Sequence, residues 1–431
     1  MRRPGQNWRR LSIPLLGACL LAALPVGSAV AVPPDPVPHT HETVHAAHRA
    51  GRAAPDKAAD HAVRLQALLG QHSVLAADVM RSRIRGDDDF VQAADAALGK
   101  NTDAMTDLMD QLFGEDMVGT FGPLWAEHVV ELVAYASAVA ARDDAAREQA
   151  REELIEYEGE LSKFLAGLSQ GRLAPDAAHH ALGMHVDHLT KQTDAYAAGD
   201  YLAADRTYRE GYQHLYDLGL VLADSLLPAA DRPALREPVW RLRSQLGKLL
   251  AEHVVLVEDV TRAAVTNTPD FDAAARSINA NTRDLTAAMD TLFGTAAARQ
   301  FQRIWGDHVE QLVAYSAATA AKDETRRQRA RSALAKYEQD MAVFLNQATG
   351  GRMTRPELAQ AFAGHDEMLL EHADAYAARD YPTAHDIAYR TYEHGFDLAR
   401  ELADAFGETV AARLPRGGAQ TGYGGLAAGG R

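Results

Sequence analysis

Cysteine is almost absent from this chain of 431 residues. Its one cysteine, Cys19, lies in an N-terminal segment that we expect to be removed on export. The remaining chain then has no disulfide, no cysteine-containing zinc site and no haem-attachment motif. We therefore expect the fold to be held by its core or by a bound metal, and not by covalent cross-links.

Other features are also scarce. Aromatic residues make up 7% of the chain, and 44 basic residues face 59 acidic ones, which gives a net charge of −15. An acidic protein has no general electrostatic attraction to nucleic acid or anionic lipid, so we expect no nucleic-acid partner. The sequence also lacks sustained strand alternation, a Gly-x-Ser-x-Gly motif and a phosphate-binding glycine loop between a strand and a helix.

The N-terminus has the three parts of an export signal. Four arginines precede an apolar run at 11–24, and Ala-Val-Ala at 29–31 provides a cleavage site. These features predict a signal peptide over 1–31 and a secreted or extracytoplasmic protein of the cell envelope. Leu-Gly-Ala-Cys ending at Cys19 is similar to a bacterial lipobox, so lipid anchoring is a second interpretation and the only one that implies a membrane. The apolar run continuing beyond Cys19 disfavours it.

Residues 32–55 form a linker rich in proline and histidine. Its sequence HTHETVHAAH contains His39, His41, His45 and His48. A short histidine-rich tract in a flexible segment can capture a transition metal. A solvated spacer between the export signal and the fold explains the same composition equally well.

Helical periodicity and turn residues predict an all-α fold. Pro175 suits a first helical turn, and Asp200 can cap the helix that begins after it. Six helices are expected in the first half of the chain, at 57–84, 89–112, 119–141, 143–169, 175–198 and 201–227.

One motif reveals a duplication. The sequence FGPLWAEHVVELVAYA at 121–136 returns as FQRIWGDHVEQLVAYS at 301–316, with a constant offset because 308 − 128 = 180. Such self-similarity defines a repeat unit. We predict a tandem duplication of a six-helix, up-and-down bundle-like domain. Its predicted parts are repeat 1 at 56–227, a linker at 228–238, repeat 2 at 239–406 and a glycine-rich disordered tail at 407–431.

Four histidines of repeat 1 have a counterpart in repeat 2. They lie on the first, third, fifth and sixth helices, and the pairs are His72 with His253, His128 with His308, His185 with His365, and His214 with His394. Each occupies an apolar helical stripe, and helices bury such stripes against one another. We therefore expect these imidazoles to point into the bundle.

A buried imidazole needs hydrogen-bond partners or a metal. A single one is more often a satisfied core residue, but one on each of four helices, in two copies, is typical of a metal site built from facing helices. Histidine is the commonest metal ligand among the side chains, and imidazole suits zinc, copper, nickel and iron. A structural polar core, in which the histidines satisfy one another, is the alternative.

Four further polar residues are candidates for supporting the site. Asp217 and Asp397 follow the sixth-helix histidines by three residues, so they can contact the histidine or bind the metal. Asn101 and Asn281 occupy an apolar stripe of the second helix, where a hydrogen-bonding or register role is favoured over metal binding.

The donor set limits the identity of the metal. Di-iron carboxylate bundles need Glu-x-x-His pairs, and neither repeat has that spacing at its paired histidines. A histidine-dominated site without cysteine leaves copper or zinc, with copper favoured by affinity. Haem with histidine ligation is a weaker option.

Several of these features occur together in one group of proteins. The chain resembles secreted helical proteins of Gram-positive bacteria in its histidine on each of four helices. It also resembles them in an Asn that precedes a helix end with the sequence Leu-Phe-Gly, and in Leu-Trp or Ile-Trp ahead of His-Val. Those proteins are similar to a single copy of this repeat, and the likeness covers nearly all of 60–227 and 238–406. It implies the repeat boundaries and the paired histidines, and no particular reaction. The duplication, the histidine-rich leader and the glycine-rich tail depart from the group.

The sequence therefore predicts a secreted, all-helical protein that binds copper or zinc through buried histidines, for metal binding or buffering. A structural or interaction module of the cell envelope, without a metal, is the alternative. A metal-dependent enzyme is a third class, and it needs an open coordination position beside a pocket, which a sequence cannot display. No catalytic residue is predicted.

Overall fold

Twelve α-helices contain most of the residues that the computed structural model describes, which are 57–86 and 88–413. No strand occurs within these two ranges, so the predicted all-α fold is confirmed. The predicted signal peptide, Cys19 and the histidine-rich linker lie outside the described residues. Repeat 1 contains α1 (Lys57–Arg85), α2 (Asp88–Phe113), α3 (Glu115–Ala141), α4 (Asp144–Leu168), α5 (Pro175–Ala197) and α6 (Tyr201–Leu226). After a 3-10 helix at Arg232–Arg236, repeat 2 contains α7 (Pro238–Thr266), α8 (Phe271–Phe293), α9 (Thr295–Ala320), α10 (Glu324–Ala348), α11 (Arg355–Ala378) and α12 (Tyr381–Arg413).

The helices begin close to the predicted positions, for local chemical reasons. Asp200 accepts a hydrogen bond from the backbone N–H of Ala203 at 3.1 Å, which satisfies one of the free donors at the start of α6. Thr354 and Glu357 form a capping box at the start of α11. The end of the chain differs from the expected layout. Helix α12 continues to Arg413, so the residues from 407 to 413 that were expected in the tail are helical.

The first helix of each repeat is its centre. Helix α1 packs against α2, α3, α5 and α6, and α7 packs in the same way against α8, α9, α11 and α12. Within each repeat, the remaining helix contacts run between consecutive helices and between α3 and α5, or α9 and α11. Consequently α1, α3 and α5 are mutual neighbours, and so are α7, α9 and α11.

One stretch of α3, at 119–141, is apolar and long enough to cross a membrane by composition. Helices in protein cores meet the same criterion. This stretch carries Trp125 and His128, and both side chains are buried in the helical bundle. Composition alone is therefore weak support for a membrane span here.

The two repeats pack together through an approximately symmetric junction. Tyr212 of α6 donates a hydrogen bond to the carbonyl oxygen of Lys248 in α7 at 3.0 Å. Tyr392 of α12 donates to the carbonyl oxygen of Ala67 in α1, also at 3.0 Å. The bonds correspond because 392 − 212 = 180 and 248 − 67 = 181. The last helix of each repeat is thus bonded to the first helix of the other, as in a two-fold symmetric dimer. The described parts of both repeats belong to one compact unit, and the division into two domains stays a prediction.

Buried ion pairs extend this junction. The guanidinium of Arg81 in α1 lies 3.0 Å from Asp205 in α6 and 3.9 Å from Asp259 in α7. Arg262 of α7 lies 2.6 Å from both Asp259 and Asp270. Removal of one partner would leave a buried charge uncompensated, so these pairs fix how the two repeats meet.

Gly70 of α1 lies where the two tyrosines of the junction approach each other. A Cβ atom at this position would lie 2.9 Å from Cε2 of Tyr212 and 2.9 Å from the hydroxyl oxygen of Tyr392. We expect Gly70→Ala to lower the free energy of unfolding by about 1–3 kcal/mol, because two enclosed rings would have to move. Urea unfolding measures this change.

Gly159→Ala in α4 is the matched control, because no atom lies within 4 Å of its added Cβ. It should raise the free energy of unfolding by about 0.5–1 kcal/mol through helix propensity alone. If Gly70→Ala were as stabilising as Gly159→Ala, the close packing of the junction would be contradicted.

Candidate metal centre

Each repeat contains one group of three buried histidines on three neighbouring helices. The repeat-1 triad consists of His72, His128 and His185, and the repeat-2 triad consists of His253, His308 and His365. Within each triad, one ligand nitrogen from every histidine lies within 4.8 Å of the other two. No residue of either triad is more than 4% exposed.

The helix arrangement explains why these positions meet. Each histidine belongs to the apolar stripe that its helix turns toward the bundle interior. Helices α1, α3 and α5 are mutual neighbours, so their stripes converge on a common line. Helices α7, α9 and α11 repeat this arrangement.

The repeat-1 triad has nearly the spacing of metal ligands. Nε2 of His72 lies 2.9 Å from Nε2 of His128. Two imidazole nitrogens that share one metal, each at about 2.0–2.1 Å, lie about 3.0–3.4 Å apart. The ring of His185 lies 5.4 Å from that of His72 and 6.3 Å from that of His128, measured between centroids. In repeat 2 the three centroid distances are 5.5, 5.8 and 5.9 Å.

Aromatic side chains enclose both triads. The Trp125 ring centroid lies 4.7 Å from that of His72, and Tyr157 stacks on His128 at 4.5 Å. In repeat 2, Trp305 lies 4.5 Å from His253 and Tyr337 stacks on His308 at 4.4 Å. This enclosure keeps water away and lowers the local dielectric constant, which strengthens any electrostatic interaction there.

Several triad nitrogens have no partner in hydrogen-bonding geometry within the described part of the chain. They are Nδ1 of His72 and His365 and both nitrogens of His185, His253 and His308. An unsatisfied buried polar group costs about 1–3 kcal/mol. A metal ion accepts lone pairs from such nitrogens, so the donor set fits a bound transition metal.

Burial lowers the pKa of every triad histidine. It lowers the pKa of His128 to about 4 and that of His253 to about 3. For the other four, burial and the neighbouring histidines hold the pKa well below 6.5. The imidazoles are therefore neutral near pH 7, and the neutral form is the one that binds metal.

The fourth histidine of each predicted set lies outside its triad. Nε2 of His214 in α6 hydrogen bonds to the carbonyl oxygen of Ala181 in α5 at 2.8 Å, and its ring lies 5.5 Å from that of His188. His394 of α12 lies beside the repeat-2 triad, with its ring centroid 6.1 Å from that of His365. The structure thus brings together three of the four paired histidines, because α6 presents its tyrosines to α1 and not its histidine.

The predicted supporting aspartates belong to surface ion pairs. Asp217 pairs with Lys248 at 2.8 Å, and Asp397 pairs with Arg400 at 2.8 Å. Three residues along a helix place a side chain on a neighbouring but not identical face, and here that face meets solvent. Neither aspartate supports a triad.

The two asparagines have the hydrogen-bonding role that the sequence favours. Nδ2 of Asn101 donates to the carbonyl oxygen of Leu68 at 3.0 Å, which links α2 to α1. Nδ2 of Asn281 donates to the carbonyl oxygen of Leu249 at 3.0 Å, which links α8 to α7. Both side chains hold the central helix in register one turn from its triad histidine.

Asp366 of α11 is the residue near a triad that the sequence reasoning missed. Its Oδ1 atom lies 3.2 Å from Nδ1 of His308, and the side chain is buried. Burial raises the pKa of this carboxyl well above its usual value, and a cation beside it would lower that pKa again. It was detectable as an acidic residue next to His365 where repeat 1 has Val186, a difference that a search for shared residues overlooks.

No protein-family model, curated protein or solved structure matches this chain. The resemblance to secreted helical proteins therefore stays a prediction, and the function has to be inferred from the site itself.

The low pKa of His253 predicts a pH dependence of stability for the metal-free protein. Its pKa is about 3 in the folded state and about 6.5 in an unfolded chain. The unfolded state therefore binds more protons between these values, so stability is lost as the pH falls below about 6.5. From pH 7 to pH 5 this one group should cost the native state about 2 kcal/mol.

His253→Leu isolates this contribution from the other titrating groups. Urea unfolding with a chelator present, at pH 7 and at pH 5, should show that the unchanged protein loses about 2 kcal/mol more than the variant. Parallel pH dependences in the two proteins would contradict a buried, neutral His253.

Proposed function

We propose that each repeat binds one transition-metal ion through its histidine triad, and that the protein binds or buffers copper or zinc outside the cytoplasm. The observation that supports this most is the convergence of three buried imidazoles, several of them with unpartnered nitrogens, in both repeats. Imidazole nitrogen suits both metals. The predicted signal peptide supports a location outside the cytoplasm.

The surroundings of each triad favour binding of a metal ion. Aromatic and apolar side chains surround each triad and exclude water, and the neighbouring helices fix the imidazoles before any ion arrives. Three protein ligands leave one position of a tetrahedral ion for another ligand. This supports reversible binding more than a closed structural site.

The alternative is an envelope interaction module in which the histidines form a polar core. One observation favours it, because the 2.9 Å contact between Nε2 of His72 and Nε2 of His128 also fits an N–H···N hydrogen bond. That bond leaves both nitrogens of His185 without a partner. The two functions therefore differ in what removal of His185 should do.

Metal stoichiometry tests the proposal. The probe protein is the mature chain without an affinity tag, with His39, His41, His45 and His48 replaced by alanine so that the leader contributes no ligand. We expect about two equivalents of copper or zinc after reconstitution and dialysis, one for each triad. His185→Leu and His253→Leu should each remove about one equivalent, as measured by elemental analysis.

These two variants remove histidines whose nitrogens have no hydrogen-bond partner among the described residues. Their metal-free forms should therefore be as stable as the unchanged protein, or more stable by about 1 kcal/mol. His214→Leu is the matched control, and it should keep both equivalents because His214 lies outside the triad. Absence of bound metal in the unchanged protein would leave the interaction module as the better function.

A further inference from the structure

The two triads consist of histidines at equivalent positions but have different neighbours. Val186 follows His185 in repeat 1, and Asp366 follows His365 in repeat 2, where 366 − 186 = 180. Both side chains are buried. An ionisable carboxyl group thus replaces an apolar side chain at equivalent positions in the core of the protein.

Asp366 faces the triad and not the solvent. Its Oδ1 atom lies 3.2 Å from Nδ1 of His308. In repeat 1 the matching nitrogen, Nδ1 of His128, contacts the backbone carbonyl oxygen of Trp125. The same edge of the same imidazole therefore meets a carboxyl group in one repeat and a neutral carbonyl in the other.

Two other buried acids, Glu252 and Glu158, do not remove this difference in charge between the surroundings of the two triads. Glu252 precedes His253, but the guanidinium of Arg209 lies 2.9 Å from it and compensates its charge. The charged groups that interact with Glu158 of repeat 1 are His179, Asp187 and Arg151, none of which belongs to a triad. Asp366 contacts a triad histidine directly, and the other charged groups that act on it, Glu338 and Glu367, are also acids.

Charge determines which ion each environment favours. Three neutral imidazoles carry no charge, so the full charge of the ion is buried with it, and this cost rises steeply with charge. A divalent ion would leave two positive charges in the repeat-1 site but only one in the repeat-2 site, because the carboxylate compensates one of them. A monovalent ion would leave one positive charge in repeat 1 and none in repeat 2. The carboxylate therefore stabilises both kinds of ion in repeat 2, but a divalent ion about twice as strongly, because the attraction is proportional to the charge of the ion.

We propose that the duplicated sites have diverged in their selectivity for the charge of the ion. The repeat-2 triad, with Asp366, favours a divalent cation such as Zn²⁺ over a monovalent cation such as Cu⁺ or Ag⁺ more strongly than the repeat-1 triad does. This inference rests on the proposed function, since it requires that both triads bind metal.

Silver(I) and zinc(II) are suitable probes, because Ag⁺ is a monovalent soft ion that is stable in air. Each triad is studied alone in the full mature chain, with the leader histidines replaced by alanine. His185→Leu leaves the repeat-2 triad, and His253→Leu leaves the repeat-1 triad. Competition with a chelator should show Zn²⁺ bound at least tenfold more tightly by repeat 2 than by repeat 1, and a smaller difference between the two repeats for Ag⁺.

Substitutions of Asp366 and of Val186 test whether the carboxyl group beside the triad causes the difference in metal selectivity. In the protein with only the repeat-2 triad, Asp366→Asn should weaken Zn²⁺ binding by about 10–100-fold and change Ag⁺ binding much less. Asn is nearly the same size as Asp, so folding should be preserved, and thermal unfolding of the metal-free variant checks this. In the protein with only the repeat-1 triad, Val186→Asp should strengthen Zn²⁺ binding.

The outcomes separate this inference from the proposed function. If neither triad binds Zn²⁺ or Ag⁺, the metal-binding function itself is overturned. If the ratio of Zn²⁺ affinity to Ag⁺ affinity is the same for both triads, or if Asp366→Asn leaves Zn²⁺ binding unchanged, the two sites are equivalent in selectivity. In that case the divergence is overturned while metal binding stands.

Discussion

The enclosure of α1 and α7 is the constraint on which the rest of the structure depends. Each of these helices is surrounded by four helices of its own repeat and also contacts the other repeat. Helix α1 is therefore largely enclosed, although it carries Gln66, His72 and Arg81, all of them buried. These three polar side chains must find partners inside the protein, because water cannot supply them.

The partners are found in two directions. On the junction side, Arg81 contacts aspartates of α6 and α7, and the backbone of α1 accepts a hydrogen bond from Tyr392. On the opposite side, His72 meets His128 and His185 from the neighbouring helices. The charged groups of the junction pair with one another, whereas several nitrogens of the triad have no hydrogen-bond partner among the described residues. A bound ion would supply that partner, which favours the proposed metal binding over a polar core.

Duplication explains how two such sites can differ without loss of the fold. The paired histidines, the flanking tryptophans and the asparagines that fix the central helix occur in both repeats, so each copy keeps the same framework. A change such as Val186 to Asp366 alters the polar environment around the same set of histidines. The pseudo-symmetric junction also makes the two copies one unit, so each can depend on the other for the burial of its last helix.

The sequence by itself determined the helices, their approximate ends, the repeat offset and the apolar stripes that carry the paired histidines. These are local properties, because helical periodicity, caps and glycine turns act over a few residues. Only the tertiary structure decided which stripes face each other. It brought α1, α3 and α5 together and left His214 bonded to a backbone carbonyl. It also placed Asp217 at the surface and Asp366 against a triad. Periodicity fixes the face on which a residue lies, but the partner of that face depends on contacts between segments distant in the chain, and no spacing within one helix specifies those contacts.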